Sequence, residues 1–183
     1  MKITKIEIIP VDLPCKKVLT LSRYGRLGEG RPFQFVLSRV HTDEGVVGIG
    51  ECPPLPPLSH ESQPVICEVL KNWLAPNIIG MDPFEIEAIW EKMDFYAPTY
   101  SMAKAAIDIA LWDIIGKTLQ MPLYRLLGGS APTKIPNVGL IGIGEPKEVA
   151  GIAEQLVSSG YTGIRLKIGK GYDIRCVKSI RKA

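Results

Sequence analysis

Arg165 and Lys167 stand two residues apart in the run Thr162-Gly-Ile-Arg-Leu-Lys-Ile-Gly169. Side chains alternate along a strand. As a strand, this run puts Ile164, Leu166 and Ile168 on one face and the two cations on the other. Cations sharing a face repel one another, and a face turned into a barrel also loses water. Both effects lower a lysine pKa, and a neutral amine is a general base. Arginine stays protonated in proteins, so Arg165 is the perturbing charge and Lys167 the candidate base. Taken alone, the pattern also fits a half-exposed strand whose cations sit in water.

The elements that must hold this pair follow Gly128-Gly129. Residues 134–143 read as a strand, and 145–159 as an amphipathic helix with Val149, Ile152, Ala153 and Leu156 on one stripe. Gly160 ends that helix. Residues 161–169 read as a second strand, and a further helix starts near residue 172. Strand–helix–strand–helix is the unit of a parallel α/β fold.

The preceding part has another texture. Residues 3–11 alternate as a strand, and 34–41 and 46–51 form two more around the turn Thr42-Asp-Glu-Gly45. The expectation is a three-stranded antiparallel meander. Residues 19–32 fit no periodic pattern and read as a long loop, which in a compact domain is often functional. Cys52-Pro-Pro-Leu-Pro-Pro-Leu-Ser reads as a second, stiff loop without regular structure, because proline has no N–H for a ladder. Helices follow. Ser59, Glu61 and Ser62 mark the start of one, with Ile66, Val69, Leu70 and Trp73 on its apolar face. Asp82-Pro83 opens the next, with Ile86, Ile89 and Trp90 inward. Residues 100–119 form the strongest, with Ala103, Ala106, Ile107, Ala110, Leu111 and Ile114 in one stripe. Asp113 and Lys117 make an (i, i+4) pair on it.

Composition narrows the function classes. The 183 residues are 46% hydrophobic and 22% charged, with a net charge of +3, ordinary for a globular protein. No nucleic-acid partner is expected from so small a charge, although the end of the chain is basic, with Asp173 the one acid from residue 165 to 182. That reads as an exposed helix face. No stretch is long and apolar enough for a membrane helix, and the start lacks a signal-peptide core. Cys15, Cys52, Cys67 and Cys176 form no CxxC pair and no cluster with His41 or His60. Zinc is not expected, and scattered cysteines suit a reducing, cytoplasmic location.

Residues 103–117, Ala-Lys-Ala-Ala-Ile-Asp-Ile-Ala-Leu-Trp-Asp-Ile-Ile-Gly-Lys, followed by Pro122-Leu-Tyr-Arg-Leu-Leu-Gly128, closely resemble the signature of the mandelate racemase/muconate lactonizing enzyme family of the enolase superfamily. The resemblance runs along the whole chain. It implies an α+β capping domain over residues 1–128, then the first βα units of a TIM-type barrel over 129–183, incomplete in this chain. Arg165-Leu-Lys167 resembles the family's Lys-x-Lys motif. By that resemblance Lys167 is the base that abstracts a proton α to a carboxylate. Arg165 stands where the family usually has lysine. The resemblance further implies a substrate lid with Tyr24 and Arg26 in the first loop and Pro54 and Leu55 in the second.

The same resemblance implies Mg2+, whose carboxylate ligands fall on later barrel strands, beyond residue 183. It implies a small-molecule carboxylate substrate and a homo-oligomer for the full-length protein. A barrel of this kind takes roughly 250 residues. The chain is therefore expected to be a fragment, inactive alone, with an open strand edge that exposes apolar surface. The expected reaction is that of a racemase, epimerase or cycloisomerase. An acid-sugar-type dehydratase on the same scaffold and a non-catalytic capping or binding module are the alternatives.

Overall fold

Alternating apolar and polar residues from Ile3 draw the chain into β1 (Ile3–Leu13). The computed structural model describes residues 1–183 except 16–18, 22–24, 28, 29, 31, 131–133, 170 and 172. Two short strands follow, β2 (Leu19–Leu21) and β3 (Gly25–Leu27), paired antiparallel. The expected loop over 19–32 therefore contains a small hairpin. Leu19-Thr20-Leu21 is a β-prone triplet that finds a partner only across the chain reversal. β4 (Phe33–Thr42) and β5 (Val47–Cys52) complete a three-stranded antiparallel sheet in the order β1-β4-β5. Gly45 takes φ +79° in the turn that joins them, a conformation glycine adopts without strain.

The proline-rich stretch is not wholly irregular. α1 (Pro56–Ser59) is one helical turn whose proline at the first position has the φ a helix start requires. α2 (Gln63–Glu68) runs on through a π-helical stretch, Val69–Leu74, into α3 (Ala75–Ile78). The wider π turn moves the buried stripe by one residue. Leu74, not Trp73, enters the core beside Ile66, Val69 and Leu70, and Trp73 is left on the surface against the edge of Tyr100, ring centroids 5.4 Å apart. Asp82-Pro83 precedes α4 (Ile86–Tyr96) rather than opening it, because the Asp82 carboxylate accepts the Phe84 N–H at 3.0 Å and holds a turn.

α5 (Ser101–Thr118) crosses the sheet and carries the centre of the core. Its expected stripe, from Ala103 to Ile114, is fully buried. A Cβ on Gly48 would lie 2.1 Å from the Ala110 carbonyl oxygen, and one on Gly50 would lie 1.9 Å from that of Ala106. β5 can approach α5 so closely only because these two positions lack side chains. α6 (Leu123–Leu126) ends this part.

β6 (Val138–Ile141), α7 (Pro146–Ser158), β7 (Gly163–Leu166) and α8 (Asp173–Lys182) follow, and the two strands pair in parallel. This is the opening of the α/β barrel. A second, smaller core joins Ile141, Val149, Ala153 and Cys176, with Leu156, Ile164, Leu166 and Ile180 packed on it. The chain divides into two compact units. One is Met1–Leu13 with Gln34–Ala131, and the other is Pro14–Phe33 with Pro132–Ala183. The sequence expectation drew one line at residue 128; the units instead group residues 14–33 with the barrel segment.

Candidate active site

Register fixes what each face of the β6–β7 pair carries. Gly139 lies opposite Ile164 and Ile141 opposite Leu166. These residues face α7, where a Cβ on Gly139 would lie 2.7 Å from Leu156. Leu140 lies opposite Arg165 on the other face. The ladder runs one residue beyond β7, since the Lys167 N–H donates to the Ile141 oxygen at 2.9 Å. Lys167 thus sits at the carboxyl end of two parallel strands, on the face turned away from the helices. That end of an α/β barrel is where catalytic side chains gather. On this chain Arg165 is exposed and Lys167 half-buried. Val138 and Leu140, beside them on the same face, are exposed as well.

Ile168 does not continue the buried stripe and is 55% exposed. The strand stops because the chain turns at Gly169, φ +136°, whose N–H donates to Asp173 Oδ1 at 3.0 Å. That bond ties the residue after the candidate base's neighbour to the first turn of α8.

Of the expected lid residues, Tyr24 lies outside the described residues. Arg26 belongs to β3, in register with Thr20. Pro54 and Leu55 are half-buried in the other unit, just ahead of α1. The Leu55 N–H donates to Ser59 Oγ at 3.3 Å, and the Glu61 N–H reaches the same oxygen at 3.3 Å.

Glu61 lies just ahead of α2, as expected, but its carboxylate serves α5, which nothing in the sequence announces. Oε1 accepts the Met102 N–H at 2.9 Å and Oε2 the Ala103 N–H at 3.1 Å, with Glu61 only 2% exposed. Tyr100, the capping residue of α5, offers no side-chain bond. A remote anion therefore fills the positive end of the helix. Buried N–H groups left without an acceptor would cost about 1–3 kcal/mol each. The only sequence signal was an acid just past a proline-rich loop, and nothing local names its partner.

Within the signature over 103–128, Lys104 and Asp108 make structural contacts. Lys104, 4% exposed, donates to Asp94 and to the Pro98 oxygen and lies over the Trp90 ring, 5.5 Å from its centroid. Trp90 Nε1 donates to Asp108 at 2.7 Å. These contacts join α4 to α5. Cys52, buried at the end of β5, is a packing residue. Burial, and next the nearby Glu61 charge, push its thiol up to about 12, so it has little thiolate to offer as a nucleophile.

Among the described residues no group of three or more His, Cys, Asp or Glu side chains could hold a metal ion. The described residues therefore supply no ligand set for Mg2+. No helix among the described residues is long and apolar enough to cross a membrane.

Comparison with known proteins agrees with this arrangement. The chain is 33% identical over 184 residues to the N-succinyl-L-Arg/Lys racemase of Bacillus cereus, covering all of this chain and 49% of that protein. The crystal structure of that racemase superposes with a TM-score of 0.93. It is 36% identical over 185 residues to the hydrophobic dipeptide epimerase of Enterococcus faecalis, covering all of this chain and 51% of the epimerase. A dipeptide epimerase structure from that organism, complexed with Mg and the dipeptide L-Leu-L-Tyr, superposes with a TM-score of 0.92 at 34% identity, over all of this chain and 50% of that one. The cis-3-hydroxy-L-proline dehydratase of Roseibium aggregatum is 37% identical over 169 residues, 92% of this chain and 46% of the dehydratase. The chain spans about half the length of the curated relatives it matches. The family profile for the mandelate racemase / muconate lactonizing enzyme N-terminal domain matches residues 28–128. With α5 and its signature inside that match and the Arg165/Lys167 strand inside the longer ones, the chain belongs to the mandelate racemase/muconate lactonizing enzyme family.

Proposed function

We propose that the protein carrying this chain abstracts a proton α to a carboxylate, with Lys167 as the base. The observation that carries this reading is the place of Lys167: the carboxyl end of a parallel strand pair, on the face without helices, one step along from Arg165. The unprotonated Nζ accepts the α-proton and the substrate carbon becomes an enolate. The guanidinium of Arg165, permanently charged, favours the approach of the anionic substrate. Tyr24, Arg26, Pro54 and Leu55 are proposed substrate contacts. Magnesium belongs to this reading as the ion of a related structure; the described residues here give it no ligand set.

Racemisation or epimerisation is the outcome favoured by the named relatives. Cycloisomerisation of the muconate lactonizing type shares the enolate, formed there when a carboxylate oxygen adds to the carbon–carbon double bond, and Lys167 in its protonated form then delivers the proton to the α-carbon. A dehydratase is the second reading, supported by the likeness to the cis-3-hydroxy-L-proline enzyme. A cytoplasmic homo-oligomer without a nucleic-acid or membrane partner completes the proposal. The test is incubation of the whole protein with Mg2+ in D2O against a panel of N-acyl amino acids, dipeptides and hydroxy acids. Deuterium at Cα with inversion supports the isomerase, loss of water supports the dehydratase, and no exchange on any carboxylate contradicts both.

A further inference from the structure

A continuous set of hydrogen bonds leads from Leu55 to the start of α5. The Leu55 N–H donates to Ser59 Oγ, and the Ser59 N–H donates back to the Leu55 oxygen at 2.8 Å. The Glu61 N–H reaches Ser59 Oγ, and Ser59 Oγ in turn lies 3.4 Å from the Glu61 oxygen. His60, between them, is held at φ +59° with its N–H on the Pro56 oxygen at 3.0 Å. That is the left-handed cap on which helices commonly end, here closing α1. The carboxylate of the next residue, Glu61, is buried and fixed on the Met102 and Ala103 N–H groups of an eighteen-residue helix.

We infer that Glu61 is a positioning residue: it clamps the far end of the proline-rich segment to α5 and, through Ser59, sets the backbone at Leu55 and thereby the affinity for substrate. The inference rests on the reading of Pro54 and Leu55 as substrate contacts. An arrangement meant only to cap α5 would not need Ser59 to join the cap to Leu55. A segment with four prolines among residues 53–57 is already stiff and needs only its ends held. β5 holds one end and Glu61 the other.

The test uses the whole protein and two variants that keep side-chain volume nearly constant, Glu61→Gln and Ser59→Ala. A glutamine can accept from only one of the two N–H groups and opposes the other with its own amide hydrogens. Amide hydrogen exchange at Leu55 and His60 is expected to speed about tenfold in each variant. KM for the best exchanging carboxylate of the panel is expected to rise about tenfold, with kcat within twofold. The double variant is expected to add little, since both changes break one chain of contacts. Glu61→Asp, which keeps the charge, should recover part of the KM. Unchanged exchange at Leu55 in Glu61→Gln overturns the clamp whatever the kinetics. Faster exchange with unchanged KM overturns the step from clamp to substrate. Leu55→Ala then tells which reading failed: a raised KM there keeps the substrate loop and removes only Glu61 from its control, and an unchanged KM removes the loop itself.

Discussion

The carboxylate of Asp113 accepts the backbone N–H of Ile49 at 2.8 Å, although the two residues are 64 apart in sequence. Its ion-pair partner Lys117, 2.6 Å away, donates to the Val47 oxygen at 2.7 Å. β5 is the last strand of its sheet, and the Ile49 N–H and Val47 oxygen belong to its free edge. One turn of α5 thus supplies both a donor and an acceptor to backbone groups that would otherwise be open to a foreign strand. The pair repeats the (i, i+4) spacing that stabilises an isolated helix, but its main effect is on the neighbouring sheet.

Asp113→Ala with Lys117→Ala is expected to lower stability by about 1 kcal/mol, since both groups are partly exposed and water replaces them. The larger effect is expected on self-association through the uncovered edge. Thermal melts and light scattering over a concentration series check this; an unchanged melt together with unchanged scattering would contradict the edge role.

Gly50→Ala and Gly48→Ala are expected to cost about 3 kcal/mol each or prevent folding, because the new methyl would meet a carbonyl oxygen of α5 and backbone cannot step aside. Gly151→Ala, in α7 with nothing within 4 Å of the added carbon, is the control. It is expected to stabilise by roughly 0.5–1 kcal/mol, the helix-propensity difference. Urea titration of the three variants measures the contrast.

Leu74→Ala is expected to cost about 2–5 kcal/mol as a fully buried leucine, and Trp73→Ala less, because Trp73 is 40% exposed and packs on the surface against Tyr100. Equal losses would place the π-helical shift elsewhere. This stretch also shows where the sequence falls silent. The periodicity from Ile66 to Leu70 was legible, and a regular continuation named Trp73. Nothing in Val69–Leu74 announces the extra residue in the turn. The stripe on α5, the order of strands and the strand carrying Lys167 were legible, because each rests on a local repeat or a motif. The edge role of Asp113 and Lys117 and the helix cap by Glu61 were not, because each is fixed by a partner far along the chain. The hairpin of β2 and β3 was not, because strands of three residues are too short to show an alternating pattern.

Cys52 is expected to resist alkylation in the folded protein. With its thiol pushed up to about 12 by burial, the thiolate fraction at pH 8 is about 10⁻⁴, against roughly a quarter for a free cysteine. The folded-state value lies above the unfolded one, so this group's contribution to stability is complete below about pH 8.5 and fades as pH rises toward 12. Cys52→Ala should therefore flatten the alkaline loss of stability between those values. Labelling with iodoacetamide, read by peptide mass, and melts from pH 7 to 11 check both statements.

The base assignment is tested by deuterium exchange at the substrate α-carbon in the whole protein, comparing the parent with Lys167→Ala and Arg165→Lys. The account predicts that Lys167→Ala abolishes exchange, a loss of at least about a thousandfold for a positioned general base, with the circular dichroism unchanged. Arg165→Lys should keep a measurable rate, because a cation remains beside the base. Exchange at the parent rate in Lys167→Ala would remove Lys167 from the chemistry, and with it the reading of this strand end as the active site.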